Sequence, residues 1–180
     1  MFEILVLILL VTLIFFIKVF WLKVAVLVLS FLLITPGFYA MITGAPFVLT
    51  KQKQLKAILK LGNFRSGDVV YELGCGDGRI IRAVAKQGVK KAVGYEFSIP
   101  TFLYAVLKSR GKEKIYFRNF WKEDYSDATV LVLFLLDNAM REFEKEIWPK
   151  LKKGTRVVSN SFLMSFDADE SLDGVYLYIK

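Results

Sequence analysis

Apolar residues run almost unbroken from Ile4 to Ile34, with Lys18 and Lys23 as the only charges. About 20 such residues cross a bilayer as a helix, so the run is longer than one crossing needs and short for two. One long, tilted helix fits the pattern. So does a hairpin, Phe2 to Ile17 and Val24 to Ile42, turning at Lys18 to Lys23. A lysine at the middle of a spanning helix costs about 2.5–3.5 kcal/mol, which places both lysines near an interface. Pro36 and Gly37, then Gly44 and Pro46, predict where the helix breaks and the chain leaves the anchor. Residues 1–43 therefore read as a hydrophobic membrane anchor and 44–180 as a separate domain. A cleaved leader is not expected: no positive charge opens the run, the run is too long, and no A-x-A site follows it.

Beyond the anchor the pattern changes to alternating β-rich runs and helical periods. Lys51 to Leu61 has helical spacing, and Val69 to Leu73 is a β-rich run that ends in glycines. Ile80, Ile81, Val84 and Ala85 return to a helical period. Ala92 to Tyr95 predicts a strand, Pro100 to Ser109 a helix, and Ile115 to Phe117 a third strand. Thr129 to Leu135 is apolar throughout, as a central strand buried on both faces would be. Met140, Phe143, Ile147 and Leu151 mark one face of a helix, and Arg156 to Ser159 and Val175 to Ile179 predict the last strands. This alternation defines an α/β fold, a Rossmann-like, doubly wound, mostly parallel sheet, preceded by an N-terminal transmembrane helical segment. Tyr71 and Tyr95 fall within strands and read as core.

Charge and composition narrow the chemistry. The net charge is +8, and nearly all of it lies past residue 43. That balance suits an anionic membrane surface or an acidic partner, and equally a solvated, lysine-rich surface. Lys51, Lys53, Lys56 and Lys60 follow the anchor and outweigh Lys18 and Lys23, which predicts a membrane location with the domain on the cytoplasmic side. Cys75 is the sole cysteine and histidine is absent, so intramolecular disulfides, thiolate metal clusters, the usual zinc sites and histidine bases are excluded. No metal and no nucleic-acid partner enter the reading.

The informative segment is Val69-Val-Tyr-Glu-Leu-Gly-Cys-Gly-Asp-Gly-Arg79. A strand ends, glycines fill a turn, and a helix begins, so backbone N–H groups face a ligand approaching the carboxyl end of the sheet. Gly74 and Gly76 remove side chains where that ligand must come close. Glu96 closes the next strand, where a carboxylate accepts from both hydroxyls of a ribose. The spacing is G-x-G-x-G, not the dinucleotide G-x-G-x-x-G. Glu72 and Asp77 would repel a pyrophosphate and suit a sulfonium and an ammonium.

With those residues in view, the sequence resembles class I, seven-strand-type S-adenosylmethionine-dependent methyltransferases, whose first motif looks like Glu72-Leu-Gly-Cys-Gly-Asp-Gly78. The resemblance implies S-adenosyl-L-methionine as cofactor, Gly74 and Gly76 against its methionine part, Glu72 and Asp77 near its amino end, and Glu96 on the ribose. Gly44-Ala-Pro-Phe-Val48, Gly76-Asp-Gly-Arg-Ile80, Gly94-Tyr-Glu96 and Asn119-Phe-Trp121 narrow it. They are similar to the membrane-anchored protein-lysine methyltransferases of ATP synthase c-subunit and adenine nucleotide translocase, with their prokaryotic relatives. Asn119 stands where that group usually has Asp; its carbonyl still reaches an adenine amino group but brings no charge. Leu49 stands where the group tends to have Pro.

Trp121 covers the adenine or packs under its loop. Asp137 and Asn138 follow the fourth strand, where this fold faces the transferred methyl group, and are the candidates for the acceptor site; capping of a helix by Asp137 is the competing role. Ser159-Asn160-Ser161 lines the acceptor channel or makes a polar turn. The expected partner is a membrane-protein lysine. A lipid or quinone-like acceptor, or a non-enzymatic membrane scaffold keeping a residual cofactor fold, stays open.

Overall fold

The computed structural model describes residues 2–16, 18–42 and 48–180. Two apolar helices open the chain, α1 (Phe2–Phe16) and α2 (Phe20–Ile42). They pack on each other, and Leu7 of α1 faces Leu27, Ser30, Phe31, Ile34, Thr35 and Phe38 of α2 across an apolar groove. The hairpin alternative is therefore the one the chain adopts, with Lys18 in the short link and Lys23 in the first turn of α2. Phe20–Tyr39 is long and apolar enough to cross a membrane by length and composition.

One expectation is corrected here. Pro36 and Gly37 do not end α2, which runs on to Ile42 with Pro36 inside it. Two hydroxyls bond back within the same helix, Thr35 Oγ1 to the Phe31 carbonyl and Ser30 Oγ to the Val26 carbonyl, both at 2.6 Å. The remaining break signals, Gly44 and Pro46, and the 43/44 boundary lie outside the described residues.

The domain that follows has helices α3 (Gln52–Gly62), α4 (Arg79–Ala85), α5 (Ile99–Leu107) and α6 (Asp137–Glu146). Its strands are β1 (Val69–Leu73), β2 (Lys91–Glu96), β3 (Lys114–Phe117), β4 (Val130–Leu133), β5 (Arg156–Asn160), β6 (Glu170–Leu172) and β7 (Val175–Ile179). They form one seven-stranded sheet in the order β3-β2-β1-β4-β5-β7-β6. The first five strands run parallel and β7 runs antiparallel to both neighbours. Every residue of β1 and β4 is buried, β4 as its unbroken apolar run required and β1 with Glu72 enclosed along with its apolar residues.

Alternate strand residues point to opposite faces and build two cores. Val70, Val130, Val132 and Val158 meet Ile58 and Leu61 of α3 and Ile81 and Val84 of α4. Tyr71, Leu73, Leu131, Leu133 and Val157 meet Met140 and Phe143 of α6 and Tyr178 of β7. Tyr71 and Tyr95 sit in that second core, as read from the sequence. The strand order reverses between β1 and β4, so a crevice opens outside their carboxyl ends. The domain is tied to the hairpin through α5, against which both α1 and α2 pack.

Candidate active site

The loop after β1 stands at that crevice. Gly74, Gly76 and Gly78 all have positive φ, at 74°, 56° and 75°, a conformation that side chains with a Cβ rarely adopt. Gly78 also caps α4, and a Cβ there would stand 2.9 Å from both Arg82 Nη1 and Ile115 Cδ1. On β2, a Cβ at Gly94 would stand 2.7 Å from Cys75 Sγ. The loop thus lies directly on the neighbouring strand, and Cys75 N–H donates to the Tyr95 carbonyl at 2.8 Å.

Three acidic side chains converge on this loop. Glu72 Oε2 accepts from the Ile81 N–H at 2.9 Å, joining β1 to the first turn of α4. Glu96 Oε2 accepts from the Gly76 N–H at 2.9 Å, and its Oε1 accepts from the N–H groups of Phe97 and Ser98. Asp77 accepts from the backbone N–H of Arg79 and from its guanidinium. Burial pushes the Glu72 carboxyl well above its ordinary value, the Asp77 and Glu96 charges add to that, and the Ile81 hydrogen bond and Arg82 oppose it. Burial also works against charge on Asp77, but the Arg79 guanidinium and N–H overcome it and hold that carboxyl below its usual range. Burial, with the charges of Glu72 and Glu96, pushes the Cys75 thiol well up, so it is no thiolate nucleophile.

Buried acids repelling one another around a loop in which every second residue is glycine suit a ligand that carries positive charge and hydroxyl donors. A sulfonium and an ammonium supply the charge and a ribose the hydroxyls. The residues present fit S-adenosylmethionine.

Of the sequence candidates, Glu72, Gly74, Gly76, Asp77 and Glu96 come together in this hydrogen-bonded cluster. Asn119 follows β3, beside the end of β2, where the Arg118 N–H donates to the Glu96 carbonyl at 3.1 Å. Asn119 Oδ1 accepts from the Trp121 N–H at 3.1 Å and starts a short 3-10 turn. Trp121 is half-buried against Phe120, with ring centroids 4.7 Å apart, and lines a cleft with Glu142, Glu146 and Leu151. Asp137 and Asn138 are exposed in the first turn of α6, after β4, apart from the cluster. The position before α6 is Leu136, so Asp137 does not cap the helix.

Sequence reasoning missed two further parts. Arg79 Nη1 donates to the Thr50 carbonyl at 2.9 Å, and Asn160 Nδ2 reaches Thr50 Oγ1 at 3.4 Å. The segment Val48 to Thr50 is thereby strapped across the carboxyl ends of the strands. Beside it, Val48, Phe134, Leu136, Ser161 and Phe162 line an apolar cavity of about 260 Å³ at the ends of β4 and β5. Ser161 has φ 71°, a strained value for a residue with a side chain. The Asp-x-Arg spacing was a visible signal for Arg79. For the cavity the sequence offered only Ser159-Asn160-Ser161, of which Ser161 lines it; the apolar walls gave no signal, because they come from three separated segments.

The fold and the site define a class I S-adenosylmethionine-dependent methyltransferase, an enzyme whose cofactor is S-adenosylmethionine. Residues 72–167 match the model of the ANTKMT methyltransferase domain, and the chain belongs to that family. It is 38% identical over 149 residues to a protein-lysine N-methyltransferase of Saccharolobus islandicus (strain REY15A), covering 74% of this chain and 92% of that protein. It is 30% identical to the mouse (Mus musculus) lysine N-methyltransferase of the ATP synthase c-subunit over 74% of this chain and 57% of that protein, so it spans little more than half of that relative. Among solved structures, an RNA methyltransferase from Salinibacter ruber in complex with S-adenosyl-L-homocysteine superposes with a TM-score of 0.67. It has 30% identity and covers 73% of this chain and 93% of that one.

Proposed function

We propose that this chain methylates a lysine of a membrane protein, held at the membrane by the α1–α2 hairpin. The observation that carries the reading is the apolar cavity of Val48, Phe134, Leu136, Ser161 and Phe162 at the ends of β4 and β5, with Val48 two residues before Thr50, whose carbonyl Arg79 holds next to the glycine loop. The names of the relatives from Saccharolobus and mouse support lysine as the acceptor.

The cofactor supplies an electrophilic methyl group on a sulfonium. The chain's own residues bind, align and exclude water, which is worth several kcal/mol when the geometry is right, with effective molarities up to roughly 10⁵–10⁸ M. In the proposed roles Glu96 holds the ribose, Gly74 and Gly76 face the methionine part, and Glu72 and Asp77 lie near its amino end. Asn119 and Trp121 flank the adenine, and Asp137 and Asn138 stand at the acceptor. A lysine reacts only as the neutral amine. Apolar walls disfavour the ammonium and lower its pKa, so Phe134, Leu136 and Phe162 would select the reactive form without a protein base. The proton then leaves through water.

The test is transfer of tritiated methyl from S-adenosylmethionine into membranes, sorted into protein, lipid and RNA fractions. Label on lysine of a membrane protein is the expected result. Label in lipid moves the acceptor to a lipid or quinone-like molecule, and label in RNA follows the Salinibacter relative. For orientation, Lys51 to Lys60 support a cytoplasmic domain: protease added outside intact cells should leave it uncut, and digestion there reverses the topology.

A further inference from the structure

We propose that the exposed face of α5, with the basic cleft at its carboxyl end, docks onto the phosphate headgroups of an anionic bilayer leaflet. This rests on the membrane reading above and adds a second, chemically specific contact to it.

The sequence of α5, Ile-Pro-Thr-Phe-Leu-Tyr-Ala-Val-Leu, carries no charge. A surface helix ordinarily turns charged residues to water. Here Thr101 and Ala105 face inward while Leu103, Val106 and Leu107 face out, Leu107 at 84% exposure. A contiguous apolar face of this kind marks an interaction site. The hairpin shows what it adjoins. Both α1 and α2 pack on α5, and the Tyr39 ring meets Phe97, two residues before α5, at 5.9 Å. The α5 face thus extends the hairpin's apolar surface onto the domain.

Immediately after Leu107 the chain turns basic. Lys108, Arg110 and Lys112 face Arg82 of α4 and Lys86, the residue after it, across a cleft of about 670 Å³. Its one acid, Glu113, is buried and accepts from the Arg110 N–H at 3.2 Å. Among the described residues none of the five cations has a carboxylate within 4.0 Å. Arg82 donates to the Asp77 carbonyl and its charge is shared with Glu72 and Asp77, which leaves Lys86, Lys108, Arg110 and Lys112 as the cations the cleft offers. Those cations, beside exposed leucine and valine, match a leaflet surface, anionic above and apolar beneath. Lys108 shows the geometry, its ammonium 4.2 Å from the Tyr104 ring centroid at the edge of the apolar face. A nucleic acid fits less well, because the face is mostly aliphatic, Leu103, Val106 and Leu107, and its exposed ring, Tyr104, is covered by the Lys108 ammonium.

The test uses the full chain with a single environment-sensitive fluorophore. Cys75 is buried and stays unlabelled, so Leu107→Cys and, separately, Leu29→Cys in the middle of α2 carry the label. In vesicles containing phosphatidylglycerol both labels should shift to an apolar environment. In phosphatidylcholine vesicles only the label at 29 should shift. Lys108→Gln, Arg110→Gln and Lys112→Gln should each raise the anionic lipid needed at position 107 by about fivefold, without moving the signal at 29. A label at 107 that stays aqueous while 29 inserts overturns the docking surface alone. A label at 29 that stays aqueous overturns the membrane reading and the docking with it. Equal shifts at 107 in both lipids remove the anionic headgroup. Competition by inorganic phosphate or a short RNA in detergent reassigns the cleft to a soluble anion or to nucleic acid and overturns the proposal.

Discussion

Glu72 is held in a state that works against its own ionisation. Its carboxyl is buried and lies beside Asp77 and Glu96, so its folded pKa stands well above the ordinary 4.5. Below 4.5 the folded and unfolded chains both hold the proton; as pH rises, the unfolded chain releases it first, and stability falls until the folded carboxyl ionises too. Glu72→Gln should flatten that decline and stabilise the cofactor-free protein at neutral pH, seen in thermal melts across about pH 4 to 8. An unchanged profile would exonerate Glu72. A cationic ligand reverses the balance by favouring the carboxylate. Cofactor affinity in the wild type should therefore rise with pH over the same window, with proton release measurable by calorimetry in two buffers. Glu96→Ala should weaken cofactor by about 1.5–3 kcal/mol, the loss of charge-assisted hydrogen bonds; equal affinity would remove Glu96 from the ribose. Glu72 and the glycines were legible because strand and loop lie within one short stretch of chain, and Glu96 because it closes the next strand. The bond from Arg79 to Thr50 was not, since it joins residues 29 apart that only the fold brings together.

At the scale of elements, the strands read from the sequence are those of the sheet, because their apolar runs are what a doubly covered sheet buries. β6 was missed. It has three mostly exposed residues and no apolar signal, and only the Asp173-Gly174 turn after it hinted at a hairpin. Pro36 misled in the other direction: a proline is tolerated inside an apolar helix that packs along its neighbours, as α2 does on α1 and α5, where an isolated water-exposed helix would break. The contact between β2 and the glycine loop is tight enough to test. Gly94→Ala puts a Cβ 2.7 Å from Cys75 Sγ and 2.8 Å from its Cβ. It should destabilise the domain by about 1–3 kcal/mol and weaken cofactor binding. Adding Cys75→Gly, which removes both contacting atoms, should restore part of each in melts and calorimetry. No recovery would mean that the clash lies elsewhere.

For the whole molecule, the glycine loop, Glu96 and the residues around Asp137 all lie in the domain, while the hairpin meets it through α5. Deleting residues 1–43 should leave cofactor affinity within about twofold and sharply lower methylation in intact membranes, because tethering confines enzyme and acceptor to one surface. Activity on a detergent-solubilised acceptor should fall much less. A collapse of cofactor affinity would make the hairpin part of the fold, and unchanged methylation in membranes would point to a soluble acceptor. The hairpin's dimensions carry one more consequence. The apolar part of α2, Phe20–Tyr39, has 20 residues and is about 30 Å long, the thickness of a typical hydrocarbon layer. Under the proposed insertion from the domain's side, α2 alone would therefore bring the link with Lys18 and the nearby Lys23 to the far interface. Lipids that make the hydrocarbon layer much thinner or thicker than this would force tilting or local deformation, at a cost that grows with the mismatch. Lipids of matching chain length should therefore hold the enzyme most firmly, and in a mixed membrane it would collect where the thickness fits; retention that does not vary with chain length would remove the crossing.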